Sequence, residues 1–368
     1  MIDYFQPTNP FAAQTQRLAA EAQLGGGDLF DIDRLCRNLE PGDSEAWQAA
    51  WLQLAEATEG RADAAFAQGN DHTAAHHAFC ANQYYRQSEI FMAPGDKRKR
   101  QRFVKARNCF RAAAAVQTPA IEVVQIASGG ETYDGYFCLP GAPAAAAMPV
   151  VIMIGGADAY AEEIFFSGRR ILDRGWALLL ADTPGRGSSS YLKGIPTRAD
   201  YEVPSGACID YLASRSKVDA GRIAMVGISM AGYYAPRAAA YDARIKALVC
   251  WCGCYDLLED LYEFFEPLQA TLQRILGHKT DAEARALLKD FNLRDGAPRI
   301  KCPTLITHGV DDRLMNVDGA RRLFEAIGAE DKTLRIYDDP ETGGTGHCQY
   351  DIWATAMPFM LDWLAERL

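Results

Sequence analysis

The segment Val226-Gly227-Ile228-Ser229-Met230-Ala231-Gly232 carries the strongest chemical signal in the sequence. A β-branched run precedes it and a helical stretch follows it, which predicts that Ser229 lies in a strand-to-helix turn. Such a turn holds its serine in a strained backbone conformation and requires small residues two positions before and after it. Gly227 and Ala231 meet this requirement. We therefore predict that Ser229 is a nucleophile.

Two further residues complete the set that a serine nucleophile needs. A histidine acts as base and a carboxylate orients it, and in chains with this kind of turn the acid comes first and the histidine last. An apolar run predicts a strand ending in His308-Gly309, with Asp312 at the third position after the glycine. Asp312 is the predicted acid, with Asp311 as the alternative because strand ends shift easily by one residue. His347, on a glycine-rich loop, is the predicted general base.

The oxyanion of a tetrahedral intermediate needs two backbone N–H donors. One is expected from Met230, which directly follows the serine at the N-terminal end of a helix, where the helix dipole favours negative charge. The other is expected from the loop Ile154-Gly155-Gly156-Ala157-Asp158, where glycines let the backbone approach a substrate. We assign this donor to Ala157, with Gly156 as the alternative.

The remaining histidines and cysteines give weaker signals. His308 is interpreted as a structural residue at a strand end, and Cys348 is not expected to be a nucleophile because it lacks a strand-to-helix turn. The segment Cys250-Trp251-Cys252-Gly253-Cys254 lacks the Cys-x₂-Cys spacing of a metal site. The sequence therefore predicts no metal and no organic cofactor. Four other histidines are interpreted as surface or packing residues: His72, His76, His77 and His278.

Two different hydrophobic patterns predict the elements that position these residues. Residues 1–118 carry apolar residues at three-to-four spacing, which is typical of helices. From about Ile121, short β-branched runs alternate with helical stretches, which is typical of a mostly parallel sheet with helices on both faces. We predict a helical domain over 1–118 and an α/β domain with eight strands over 119–368. A helical insertion is expected at about 256–298.

Composition limits the class of protein. The chain has 368 residues, 49% of them hydrophobic, and a formal net charge of −10, which argues against a nucleic-acid partner. One basic cluster, at 97–107, is interpreted as a solvated helix face. The ten cysteines are spread along the chain and are expected to be reduced. Since we find no signal peptide and no membrane-spanning stretch, we expect a soluble, cytoplasmic protein with no membrane partner.

The chain resembles the 2,6-dihydroxypseudooxynicotine hydrolase group of α/β-hydrolases, with which fungal pigment-pathway polyketide-shortening hydrolases and FrsA-like esterases are grouped. The resemblance implies an α/β-hydrolase fold whose N-terminal helices form a lid, and it carries the triad roles to Ser229, Asp312 and His347. The resemblance covers most of the chain. It is carried by these segments: the helical section 1–118 with Trp47 and Trp51, residues 150–156, residues 172–175, Asp182-Thr183-Pro184-Gly185-Arg186-Gly187, the turn at 226–232 with Ser229, and the run from Cys302-Pro303-Thr304 to Asp312.

The resemblance also implies an additional active-site acid. In nicotine-pathway members a glutamate follows the oxyanion-loop residue, and Asp158 occupies that position here with a side chain one methylene shorter. Asp158 is alternatively a cap for a helix that starts near Tyr160. The resemblance makes a homodimer plausible, although no sequence feature demonstrates one.

The leading hypothesis is hydrolysis of an acyl bond by the Ser-His-Asp set. Because some members of the group cleave a carbon–carbon bond next to a carbonyl, we favour this reaction on a β-dicarbonyl-like or acyl-aromatic substrate, of polyketide or alkaloid type. A carboxylesterase or acyltransferase is the alternative, and a non-catalytic binding protein is the remote one. We expect a medium-sized, largely apolar small-molecule substrate. The sequence does not decide whether several aromatic residues line the substrate pocket or lie in the core: Tyr84, Tyr85, Phe91, Tyr255, Tyr262, Phe264 and Phe265.

Overall fold

The chain divides into two compact units. The N-terminal unit comprises Met1–Val123 with the segment Phe165–Arg169, and the C-terminal unit comprises Val124–Ile164 with Arg170–Leu368. The predicted domain boundary between residues 118 and 119 stays a prediction. The computed structural model describes residues 4–6, 8–119, 121–141 and 147–368.

Most described residues of the N-terminal unit are helical. Four of its helices begin with a side chain that accepts a backbone N–H from the first turn: Asn9, Asp28, Asp43 and Asp96. Such caps satisfy donors that the helix itself leaves unpaired. The helices are α1 (Pro10–Ala22), α2 (Leu29–Cys36), α3 (Ser44–Ala67), α4 (Asp71–Gln87) and α5 (Lys97–Val116).

Aromatic side chains form the core of this unit. The indoles of Trp47 and Trp51 are fully buried, with ring centroids 5.5 Å apart, and the ring of Phe91 packs against Trp47 at 5.3 Å. The hydroxyl of Tyr84 donates to a carboxylate oxygen of Asp31 at 3.1 Å. Each such ring buries about 150–250 Å². Tyr84, which the sequence leaves open between pocket and core, is therefore a core residue, whereas Phe91 is half-buried.

The basic cluster at 97–107 lies on α5 and pairs with acids of its own unit. Lys99 is buried, with its ammonium 2.7 Å from a carboxylate oxygen of Glu89, and Lys105 lies 2.9 Å from Glu59. These ion pairs neutralise lysine charges that would otherwise be available to bind a polyanion. The absence of a nucleic-acid partner stays a prediction.

The C-terminal unit is built on an eight-stranded sheet with the order β1-β2-β4-β3-β5-β6-β7-β8. β2 pairs with β4 in the antiparallel sense, and the pairs from β4 through β8 are parallel. This arrangement confirms the predicted α/β fold with a mostly parallel sheet. The strands are β1 (Ile121–Ser128), β2 (Glu131–Cys138), β3 (Met148–Ile154), β4 (Ala177–Ala181), β5 (Val218–Ile228), β6 (Ile245–Trp251), β7 (Thr304–Gly309) and β8 (Lys332–Tyr337).

Helices connect these strands. The predicted insertion at 256–298 contains two α-helices and short 3-10 and π-helical turns, together with one isolated bridge between Asp256 and Asn292. The α-helices of the unit are α6 (Ala161–Leu172), α7 (Gly187–Tyr191), α8 (Glu202–Ala213), α9 (Ala231–Tyr241), α10 (Gln269–Ile275), α11 (Asp281–Leu288), α12 (Val317–Ala326) and α13 (Trp353–Ala365).

The central strands are buried along almost their whole length, because helices cover a parallel sheet. Functional residues of such sheets collect beyond the carboxyl ends of the strands. All ten cysteines, each among the described residues, are free thiols. Within the described part of the chain, no helix has the length and apolar character needed to cross a membrane.

Candidate active site

Three side chains distant in sequence meet beyond the carboxyl ends of β5 and β7. The hydroxyl of Ser229 lies 2.9 Å from Nε2 of His347, and Nδ1 of His347 lies 2.6 Å from Oδ2 of Asp312. With Nδ1–H donating to the carboxylate, Nε2 is left to accept the serine proton. The structure thus brings together the three residues predicted as nucleophile, base and acid.

Ser229 lies in the tight turn between β5 and α9. Its φ of 58° is in the left-handed region, and its N–H donates to the carbonyl oxygen of Trp251 at 2.8 Å. A Cβ at Gly227 would lie 2.0 Å from the carbonyl oxygen of Ala231, and a Cβ at Gly232 would lie 2.2 Å from that of Cys252. The sequence identified the need for Gly227 but missed Gly232, because its neighbour comes from the end of β6.

Asp312, rather than Asp311, lies beside the histidine. Its buried carboxylate also accepts the N–H groups of Leu314 and Met315 at 2.8 and 3.0 Å. Burial alone would raise the pKa of Asp312, but the charge of His347 and its hydrogen bond hold this pKa below its usual value. The side chain of Asp311 is exposed.

His347 lies on the loop between β8 and α13. Gly343 and Gly344 precede it with φ values of 82° and 81°, and the carboxylate of Asp351 accepts the Gly344 N–H at 2.9 Å. Burial alone would lower the pKa of His347, but the charge of Asp312 outweighs it and holds this pKa well above its usual value. The protonated form of this imidazole is therefore stabilised.

The two predicted sources of oxyanion donors flank Ser229. Met230 directly follows it and precedes α9. The loop 154–158 follows β3, and we refer to it as the oxyanion loop after its predicted role. It approaches Ser229 so closely that a Cβ at Gly156 would lie 2.9 Å from the Cβ of Ser229. The choice between the N–H groups of Ala157 and Gly156 stays a prediction.

Arg186 is a site residue that sequence reasoning missed. Its buried guanidinium donates from Nε to the carbonyl oxygen of Gly155 at 2.7 Å and from Nη1 to the hydroxyl of Tyr201 at 2.8 Å. The guanidinium also lies 4.3 Å from the ring centroid of Tyr234 on α9. Arg186 thereby links the oxyanion loop to the helix that follows the nucleophile. The sequence analysis named the motif that contains it, residues 182–187, only among the segments that carry the family resemblance.

Asp158 lies half-buried directly after Ala157 in the oxyanion loop. The alternative interpretation of Asp158 was a cap for the following helix. The residue before that helix, Tyr160, makes no side-chain cap bond, and the N–H of Ala161 donates to Asp182 at 2.8 Å. The cap role of Asp158 stays a prediction. Sequence reasoning missed Asp182 because it lies after β4, far along the chain from α6. The catalytic role of Asp158 stays a prediction.

The other histidines do not join the triad. His308 is fully buried, with Nδ1 3.0 Å from the carbonyl oxygen of Gly309 and Nε2 3.8 Å from Oδ2 of Asp312. Burial lowers the pKa of His308, so that it stays neutral next to the triad. His72, His76 and His278 are exposed, and His77 is half-buried.

Comparison with known proteins identifies relatives over nearly the whole chain. The family model described as esterase FrsA-like matches residues 43–271, and the model described as serine aminopeptidase, S33, matches residues 284–340. Hydrolase LUC6 of Fusarium sp is 30% identical over 410 residues, which cover 98% of this chain and 97% of that protein. The 2,6-dihydropseudooxynicotine hydrolase of Paenarthrobacter nicotinovorans is 30% identical over 331 residues, which cover 88% of this chain and 84% of that protein.

A solved structure has the same fold. The crystal structure of 2,6-dihydroxy-pseudo-oxynicotine hydrolase matches with a TM-score of 0.83 and 26% sequence identity, and the match covers 95% of each chain. The FrsA-like match alone spans more than half of the chain, from α3 through α10. The chain therefore belongs to the FrsA-like family of α/β-hydrolases and is a hydrolase.

Proposed function

We propose that this protein is a serine hydrolase that cleaves an acyl bond through Ser229, His347 and Asp312. The observation that carries the proposal is the continuous chain of hydrogen bonds from the serine hydroxyl to the buried carboxylate. His347 removes the proton of Ser229, whose oxygen attacks the substrate carbonyl. The N–H groups of Met230 and Ala157 stabilise the oxyanion. Water activated by His347 then releases the acid from the acyl-enzyme.

The bond cleaved is, in our proposal, a carbon–carbon bond next to a carbonyl. The leaving group is then a carbanion, which departs only when its charge is delocalised into a neighbouring carbonyl or phenol. This requirement points to a β-dicarbonyl-like or acyl-aromatic substrate, and a relative named for an oxynicotine substrate supports this class. His347, whose pKa is raised, stays protonated after the attack and returns the proton to the carbanion.

Asp158 is proposed to assist this proton return. It directly follows Ala157, the proposed second oxyanion donor, and its side chain is half-buried. An ester needs less help, because an alkoxide or phenolate leaves more readily than a carbanion. Loss of the Asp158 carboxylate is therefore expected to slow carbon–carbon cleavage more than ester cleavage.

A carboxylesterase with the same triad is the second candidate, and the description of the matching family as an esterase favours it. The two activities share every step except the leaving group. An acyltransferase would differ only in the acceptor of the acyl group.

The cellular setting and the N-terminal unit complete the proposal. Ten free thiols suit a reducing compartment, and we propose the cytoplasm.

We also propose that residues 1–118 act as a lid that sets specificity for a medium-sized, largely apolar substrate. The relatives support this in that their similarity extends over the helical region.

The proposal is tested by product analysis with matched substrates. Purified wild-type protein and the Ser229→Ala and Asp158→Asn variants are incubated with aryl esters and aryl 1,3-diketones of equal size, and products are identified by mass spectrometry. Diketone cleavage that disappears in Ser229→Ala and falls in Asp158→Asn supports serine-dependent carbon–carbon hydrolysis. Cleavage of the esters alone reassigns the protein as a carboxylesterase. Turnover that persists in Ser229→Ala refutes the triad.

A further inference from the structure

Two cysteines that lie 96 residues apart in sequence meet beside the triad. Cys252 directly follows β6 and Cys348 directly follows His347, and their sulfur atoms lie 3.7 Å apart. Both side chains are fully buried. The proposed reaction uses neither thiol.

The positions of these sulfurs match those of metal ligands. Sγ of Cys252, Sγ of Cys348 and a ring nitrogen of His347 all lie within 4.8 Å of one another. In a tetrahedral zinc site with Zn–S bonds of about 2.3 Å, two sulfur ligands are separated by about 3.8 Å. The observed separation of 3.7 Å therefore requires almost no movement of the thiols to close on a cation.

Neighbouring groups hold the cysteine pair in place. The N–H of Cys348 donates to Sγ of Cys252 at 3.2 Å, which fixes the position of this sulfur. The indole N–H groups of Trp251 and Trp353 both donate to the carbonyl oxygen of Cys348, at 3.1 and 3.3 Å. Outer contacts of this kind orient ligands in metal sites and strengthen binding.

We propose that Cys252, Cys348 and His347 bind a thiophilic divalent cation of the Zn²⁺ type and that this binding inhibits the enzyme. Coordination releases the two thiol protons to solvent, and the two thiolates neutralise the charge of the cation. The ring nitrogen that binds the cation is no longer available for its hydrogen bond in the triad. The inhibition rests on the proposed function, whereas the binding does not.

Local sequence spacing does not indicate this site. The spacing within the segment 250–254 suits no local metal motif, and the second sulfur comes from the loop after β8. Cys254, two positions from Cys252, has a different partner, because its sulfur lies 3.8 Å from a carboxylate oxygen of Asp260. The cation site therefore depends on the fold, which brings Cys348 to Cys252.

Binding is tested directly on the full-length protein in a buffer with the phosphine reductant TCEP, which keeps the thiols reduced. Titration with CoCl₂ is expected to give one equivalent of bound cobalt with a near-ultraviolet thiolate-to-cobalt absorption band. ZnCl₂ is expected to displace the cobalt and to abolish ester or diketone turnover, and EDTA is expected to restore it. A titration without a thiolate band overturns the proposal, whether or not the protein turns over any substrate in the panel.

Cysteine variants locate the site. Cys252→Ser and Cys348→Ser are expected to raise the zinc concentration for half inhibition by about 100-fold, each measured against the variant's own metal-free rate. Cys302→Ser, at a half-buried cysteine on a different segment, is the matched control and keeps the zinc sensitivity of the wild type. Unchanged zinc sensitivity in both Cys252→Ser and Cys348→Ser overturns the assignment. If Cys252→Ser or Cys348→Ser fails to fold, the presence or absence of the cobalt band in the wild type decides whether the thiols bind a cation.

Discussion

Nε of Arg186 donates a hydrogen bond of 2.7 Å to the carbonyl oxygen of Gly155, at the start of the oxyanion loop. The carbonyl of Gly155 and the N–H of Gly156 belong to one planar peptide group, so that a bond to the carbonyl also fixes the direction of the N–H. Arg186 is itself held by Tyr201 and by the ring of Tyr234. We interpret Arg186 as a positioning residue for the donors of the oxyanion loop.

The Arg186→Lys variant is expected to lower kcat by about 10- to 100-fold with little change in KM. A lysine keeps the charge but lacks the planar guanidinium, whose Nε and Nη1 donate separately to Gly155 and Tyr201. Loss of a complete oxyanion donor costs about 100- to 1,000-fold. Steady-state kinetics on an aryl ester measure the effect. Arg198→Lys, at a partly exposed arginine paired with Asp200, is the control. A change in KM alone would assign Arg186 to substrate binding.

Replacement of Asp312 by asparagine is expected to reduce kcat by about 10⁴-fold, because the amide cannot hold His347 in the tautomer that accepts the serine proton. Asp311→Asn, one residue earlier and exposed, should keep almost full activity. The pair separates the two carboxylates that the sequence left open. Equal losses in both variants, measured as kcat on one substrate, would refute the assignment of Asp312.

The acid limb of the kcat/KM profile, in which activity is lost as pH falls, is expected to have its midpoint above pH 6.5. Burial alone would lower the pKa of His347, but the charge of Asp312 raises this pKa well above 6.5, the ordinary value for histidine. Since only the neutral ring accepts the serine proton, activity is lost as pH falls through the raised pKa. In Asp312→Asn the residual activity should persist to lower pH, because the stabilising charge is gone. An acid limb below pH 6.5 in the wild type contradicts this account.

Gly232→Ala is expected to destabilise the protein by about 1–3 kcal/mol, because the new Cβ would lie 2.2 Å from the carbonyl oxygen of Cys252. The matched control is Gly206→Ala on α8, where the nearest atoms lie 3.9 Å from the new Cβ. That change should be neutral or stabilise by up to about 1 kcal/mol, since alanine favours a helix. Thermal unfolding measures both, and equal Tm values for the two variants would show that the turn tolerates a side chain.

Local pattern was sufficient to predict most elements and the three side chains that meet at the candidate site. The strand at Ala177–Ala181 and the helix at Ala231–Tyr241 are each a continuous apolar or amphipathic run with clear ends, which local pattern can identify. Ser229 was recognisable because its turn demands small residues at fixed positions. His347 and Asp312 followed from their chain order after the serine.

The residues that were missed act through contacts between distant segments. Arg186 reaches Gly155 across 31 residues, and Asp182 caps α6 across 21. The proximity of Cys252 and Cys348 depends on the packing of a loop against the end of β6. Such pairings depend on the strand order of the sheet, which no local spacing specifies. The position of the aromatic residues stayed open for a related reason, because local spacing does not show that Tyr84 and Tyr85 are buried in the helical unit.

Covalent labelling with a fluorophosphonate, followed by peptide mass spectrometry, tests the central claim most directly. The account predicts one label per chain, located on Ser229, with labelling strongly reduced in a His347→Ala variant. A label on another residue, or a wild-type protein that turns over substrate yet resists the reagent, would contradict the assignment of Ser229 as the nucleophile.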